Sequence, residues 1–211
     1  MSLVYENKLD ARLPFAHLNL CRNPFGEITR EEQAALAQVQ LEAVLLELLD
    51  TNVVVQFVGE KGYGKTTHLL AIQAAVSGAT YTHIPEGQTA TIIAGRPTLI
   101  DEAQRMTWWQ RWYFFRRPAP LVLGTHFDYQ RSLERLGRRV ITVQVGQETS
   151  VQHIHHILNQ RIEWVRRQSG PVPQIRLETV QRLMQQFGPD IRSIQQALYE
   201  QFQSLQEICH V

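Results

Sequence analysis

Apolar positions in this chain cluster in short blocks that alternate with stretches of helical period. Blocks at Val53 to Val58, Thr80 to Ile84, Thr98 to Asp101, Leu121 to Thr125 and Val140 to Val145 predict β-strands. Several are apolar enough for the middle of a parallel sheet covered on both faces. Between them, Thr66 to Val76 has a helical pattern, so the order is βαβ-type with right-handed crossovers. The connection from 85 to 96 is near the minimum length for a helical crossover and is interrupted by Gly87, Gly95 and Pro97, which suggests an abbreviated sheet edge. Ahead of the first strand, Thr29 with Glu32 forms a capping-box signature. It predicts one long helix whose apolar face is Ala34, Ala35, Val39, Leu41, Val44, Leu45 and Leu48. After Val145 only helices are predicted, at Val151 to Arg167, Leu177 to Phe187 and Asp190 to Gln206, with breaks at Gly170-Pro171 and Gly188-Pro189.

The expected organisation is therefore an α/β core at 29–147 and a small all-helical domain at 148–211. An irregular segment at 1–28 precedes them and packs on the core through Leu13, Phe15, Leu18, Leu20 and Phe25. At 211 residues there is ample length for a substantial hydrophobic core.

Composition narrows the function classes. With 21 Lys plus Arg against 20 Asp plus Glu, the formal net charge of +1 excludes a histone-like polycation. Lysine occurs only at Lys8, Lys61 and Lys65, and the rest of the basicity is arginine. The two cysteines, Cys21 and Cys209, lack a Cys-x-x-Cys pairing, which suits a reduced cytoplasmic chain. No stretch has the length and apolarity of a secretory signal or a membrane span, so no membrane partner is expected.

The strongest chemical signal follows the first strand. Gly59-Glu60-Lys61-Gly62-Tyr63-Gly64-Lys65-Thr66-Thr67 fits Gly-x-x-x-x-Gly-Lys-Thr, the Walker A or P-loop pattern, with a strand before it and a helix after it. Its glycines let backbone N–H groups turn toward a phosphate at a helix N-terminus. Lys65 would then reach the terminal phosphates of ATP, and Thr66 would ligate Mg2+. Thr98 to Glu102 is an apolar run ending in two acids, the Walker B arrangement, with Asp101 on the metal and Glu102 polarising the attacking water. Thr125 ends a third apolar strand, where its hydroxyl either orients that water or caps a turn.

Taken together, these motifs and the helical C-terminal piece containing Phe187-Gly188-Pro189-Asp190-Ile191-Arg192 resemble an AAA+ ATPase. The resemblance implies a core sheet of order 5-1-4-3-2 followed by a helical lid. Thr125 would be sensor 1 and Arg192 sensor 2, touching the γ-phosphate from the lid. Asn23-Pro24-Phe25 resembles the segment beside the adenine in origin-initiator and transposon-type members. Arg135, Arg138 and Arg139 precede the last strand, where the family often places an arginine finger, and Arg138 and Arg139 lie nearest that strand. A solvated loop accounts for the same cluster equally well. The resemblance further implies an oligomer, or a partner AAA+ subunit, acting on a protein or DNA client.

Two other features have competing explanations. Trp108 to Arg117 interleaves aromatics with arginine; the spacing of Trp108, Trp112 and Phe115 favours core packing, although aromatic and arginine side chains together also stack bases and contact phosphates. His153, His155 and His156 do not converge on one helix face and read as surface residues. The function expected is hydrolysis of ATP with magnesium to remodel or load a partner. The rivals are a nucleotide-dependent switch that does not hydrolyse and, third, a P-loop kinase of small metabolites.

Overall fold

The computed structural model describes residues 14–146 and 150–211. They form two compact units, one spanning Thr29–Glu148 and the other joining Met1–Ile28 to Thr149–Val211. Leu13 and the expected boundary between 147 and 148 lie outside the described residues. Among the described residues, no helix is long and apolar enough to cross a membrane.

The first unit is α/β, with a five-stranded, all-parallel sheet. In chain order it comprises α1 (Arg30–Ala35), α2 (Glu42–Glu47), β1 (Val53–Val58), α3 (Lys65–Ala75), β2 (Thr80–His83), β3 (Thr98–Asp101), α4 (Trp108–Arg116), β4 (Leu121–Thr125), α5 (Gln130–Glu134) and β5 (Arg139–Gln144). The spatial order is β2-β3-β4-β1-β5, the 5-1-4-3-2 arrangement expected, and every pairing is parallel. β1, β3 and β4 are buried along their whole length, as their unbroken apolar runs require of central strands covered on both faces. One layer of core joins Val53, Val55 and Phe57 of β1 to Leu69 and Ile72 of α3; the other joins Val54, Ile100, Leu121 and Leu123 to Phe114 and Phe115 of α4. Burying each such side chain contributes roughly 1.5–3 kcal/mol.

Two local expectations change. The predicted long helix is broken between α1 and α2, with residues 36–41 outside the helices, although no Gly or Pro marks the break. Leu36 is buried and Leu41 packs against the β1–α3 layer. Five residues apart, they would point about 140° from each other on one straight helix. Breaking the helix lets both be covered. The connection between β2 and β3 contains no helix; Gln110 of α4 donates to the Ala90 carbonyl at 2.8 Å, and Ala90 and Ile92 pack against the α4 layer.

The second unit contains α6 (Val151–Trp164), α7 (Leu177–Phe187) and α8 (Ile191–Ser204). Here the N-terminal segment was expected on the α/β core, and the structure corrects this. Leu18, Leu20 and Phe25 are buried among Ile154, Leu158, Ile194, Leu198 and Phe202 of the helices. Phe25 meets Phe202 edge to face at 5.1 Å. Asn23 accepts from the Phe25 amide and donates to the Tyr199 carbonyl, and buried Arg161 donates to the carbonyls of Pro24 and Gly26 and to Gln195. Asn23-Pro24-Phe25 is thus clamped from several sides by polar contacts that no local period reveals.

Candidate functional site

The carboxyl ends of β1, β3 and β4 gather the chemistry. β1 runs into the glycine-rich loop and α3 begins at Lys65, so the loop is held between a buried strand and a helix. Gly64 has φ +93°, a left-handed backbone that favours glycine, and a Cβ there would meet nothing within 4 Å. Lys65 is buried, and its Nζ donates to the carbonyls of Gly59 and Glu60, both at 2.8 Å. Its ammonium is thus drawn into the loop that it closes. Thr67 accepts from Gln33 of α1, which braces the first turn of α3.

Asp101, at the end of β3, is fully buried and central to a polar cluster. Thr66 donates to its Oδ2 at 2.8 Å and Tyr81 donates to the same oxygen at 2.9 Å. His83 Nδ1 lies 3.2 Å from that oxygen, and the Glu102 amide donates to Oδ1. Gly124 on the neighbouring strand makes room, since a Cβ there would lie 2.7 Å from Asp101 Oδ1. Burial first, and then the Asp101 carboxylate, push the Tyr81 hydroxyl well above the usual phenol range. Tyr81 therefore stays protonated and remains a donor.

Glu102 adopts φ 60°, a left-handed conformation uncommon for a residue with a side chain. Its Oε2 accepts from Gln104 at 2.8 Å and lies 3.2 Å from Arg105, while its Oε1 lies 3.6 Å from His126 Nε2. His126 Nε2 is also 3.5 Å from Lys65 Nζ, so one imidazole stands between the lysine and the glutamate. Local backbone strain of this kind persists only where surrounding contacts enforce it, and it concentrates at functional sites.

Lys65, Thr66, Asp101 and Glu102 are brought together as their spacing predicts, but other expected members are not. Thr125 is buried with its hydroxyl engaged by the Phe127 backbone, accepting from its amide and donating to its carbonyl. The residue of this strand end that approaches the lysine and glutamate is His126, one position on. Gln56, buried in the middle of β1, fixes that loop by donating to Asp128 and accepting from the Tyr129 amide. His126 was legible only as a titratable side chain directly after a strand end, and Tyr81 and His83 only as polar residues on an edge strand.

The arginine cluster lies at the opposite, amino end of the sheet, where Arg139 pairs with Val53. Arg138 is 5% exposed, and its guanidinium donates to the carbonyls of Asn52, Val53, Phe115, Arg117 and Ala119. Those contacts use all five guanidinium N–H donors. The expectation that Arg138 reaches a neighbouring subunit is therefore corrected, because no donor is left for a phosphate. Arg139 pairs with Glu47 and with Asp50. Arg135 is exposed at the end of α5. Arg192 is exposed in the first turn of α8, where Asp190 caps the helix by accepting from the amides of Arg192 and Ser193. His153 and His156 are exposed and His155 bonds the Ile175 carbonyl.

The packing expectation for the aromatic stretch holds for only part of α4. Phe114 and Phe115 are buried, whereas Trp108, Trp109, Trp112 and Tyr113 are 59, 62, 51 and 51% exposed. Compared with known proteins, the chain matches no family model, and no curated protein is detectably similar to it.

Proposed function

We propose that this chain is an AAA+-type P-loop ATPase that binds ATP with magnesium at Gly59 to Thr67 and hydrolyses it to remodel or load a partner. One observation carries the reading: the Thr66 hydroxyl of the glycine-rich loop's helix meets the Asp101 carboxylate at 2.8 Å, across 35 residues of sequence, with Lys65 and Glu102 beside them. A parallel α/β sheet binds ligands outside the carboxyl ends of its strands, which is where this set converges.

The residues present suit ATP and magnesium. The Gly64 backbone takes the left-handed turn that a phosphate-binding loop requires, and Lys65 would exchange the Gly59 and Glu60 carbonyls for phosphate oxygens. Thr66 would hold magnesium directly and Asp101 through water, since Asp101 Oδ2 already has close polar contacts with Thr66, Tyr81 and His83. Bound magnesium would neutralise charge on the phosphate oxygens. Glu102 would orient the attacking water, with the His126 imidazole beside it. Arg192 would act as the sensor of the helical lid. A finger acting between subunits falls to Arg135, the cluster arginine left exposed and outside the Glu47 and Asp50 pairs.

The switch reading is favoured by one contact pair: Gln104 and Arg105 hold the Glu102 carboxylate, which must be released before it can serve water. Binding and turnover measured together decide. Lys65→Ala should lose ATP affinity, while Glu102→Gln should bind ATP normally and lose on the order of a hundredfold or more in turnover. Unchanged ATP affinity in Lys65→Ala sinks the site assignment. Tight binding with negligible wild-type turnover selects the switch.

A further inference from the structure

The exposed positions of α4 form a single face. Trp108, Trp112 and Arg116 follow one another at intervals of four, and Trp109 and Tyr113 make a parallel row beside them. Phe114 and Phe115 enter the core from the opposite side, so the helix is firmly seated and the tryptophans point outward. Trp108 and Trp109 stack with centroids 3.5 Å apart, and the Arg116 guanidinium lies 5.2 Å from the Trp112 ring. A shallow groove runs along this face between Trp109 and Tyr113 on one side and Thr89, Thr91 and Ile92 on the other. Single exposed aromatics are ordinary on a protein surface, but three tryptophans and a tyrosine on one short helix are not.

Charge identifies the occupant. The sequence contains no Asp or Glu between Glu86 and Asp101, nor between Glu102 and Asp128, yet these two stretches carry Arg96, Arg105, Arg111, Arg116 and Arg117. Arg105 is paired with Glu86 and Glu102, whereas Arg111, Arg116 and Arg117 lie on or directly after α4 and make the helix locally cationic in a chain whose net charge is only +1. The helix itself carries no carboxylate that would repel a polyanion. Flat π-faces for bases and guanidinium groups for phosphates are the two components of a sequence-tolerant single-strand site. Bases in a duplex are already stacked on each other and cannot use the tryptophans. We propose that the α4 face binds single-stranded nucleic acid, with Trp109 and Trp112 stacking on bases and Arg116 contacting phosphate.

The proposal does not depend on the ATPase reading, and the test separates the two. Fluorescently labelled oligothymidine is titrated with the full chain, without nucleotide, and anisotropy is followed together with tryptophan emission. Binding should quench that emission and weaken as salt rises. Trp109→Ala and Trp112→Ala should each lose on the order of tenfold in affinity. Arg116→Gln should lower the slope of log affinity against log salt by about 0.7, one phosphate's share for a single strand. All three side chains are exposed, so the urea midpoint should stay at the wild-type value. Lys65→Ala should bind the oligonucleotide as wild type does, so a failed ATP site leaves this result standing. No binding at low salt overturns the proposal. So does duplex DNA bound as tightly as the single strand, or polyglutamate displacing the oligonucleotide with the tryptophan variants indistinguishable from wild type, since these would mean charge alone or a different partner.

Discussion

The two ends of the parallel sheet handle charge differently. At the carboxyl ends, Lys65 rests on two carbonyls of the loop it closes, Glu102 is held by the side chains of Gln104 and Arg105, and His126 stands between them. Each of those contacts can be exchanged for a ligand by moving a side chain. At the amino ends, Arg138 sends its five donors to carbonyls of the β1 entry, the end of α4 and the approach to β4. Those acceptors move only if the strands move. A buried charge with main-chain partners from several elements belongs to the fold, whereas one with side-chain or same-loop partners is available for chemistry.

Arg138→Ala tests this contrast with the largest expected effect. Removing the guanidinium leaves five carbonyls without it, several of them buried, and should lower the unfolding free energy by about 3–5 kcal/mol in urea denaturation. Arg138→Lys has three donors and should fall between alanine and wild type. A variant as stable as wild type whose turnover drops in mixed assemblies would break the comparison and restore a finger role.

How much of this was legible in the sequence follows from the range of each interaction. β1 and the loop after it are encoded within fifteen residues, as an unbroken apolar run followed by glycines, and the resulting α/β sheet has the expected strand order. The meeting of Thr66 with Asp101 followed once both strand ends were placed. Arg138 was misread because a sequence shows its charge but not the carbonyls around it. Asn23-Pro24-Phe25 was placed on the wrong unit because its anchor, Arg161, lies 137 residues from Pro24. On α4, the helical spacing of Trp108, Trp112 and Phe115 favoured all three for the core, and only Phe115 is buried. Phe114 and Phe115, adjacent on one side, took the core, and the larger tryptophans were left outside.

A smaller effect, at the carboxyl end, should appear in the pH dependence of stability. Tyr81 has its hydroxyl pKa raised above 10.0 by burial and then by Asp101. The folded protein therefore keeps this proton where the unfolded chain releases it. The stability it contributes is fully present below about pH 10 and declines as the unfolded tyrosine ionises above that value. Tyr81→Phe should cost about 1–3 kcal/mol at pH 7 for the lost hydrogen bond to a carboxylate, and should flatten the alkaline fall of the urea midpoint. Identical slopes in the two proteins would mean that Asp101 does not depend on this donor.

Arg139→Ala should do least, and it is the sharpest control because Arg139 is the next residue along. Its guanidinium is held by Glu47 and Asp50, and these two carboxylates raise its pKa further. All three side chains are substantially exposed, at 45, 40 and 41%. Water solvates the separated charges nearly as well as they solvate each other, so little stability depends on the pair. The urea midpoint of Arg139→Ala should match wild type at both low and high salt, while that of Arg138→Ala falls far below it. A loss in Arg139→Ala comparable with that in Arg138→Ala would show that position at the amino end of the sheet, and not the kind of partner, sets the cost of removing a charge.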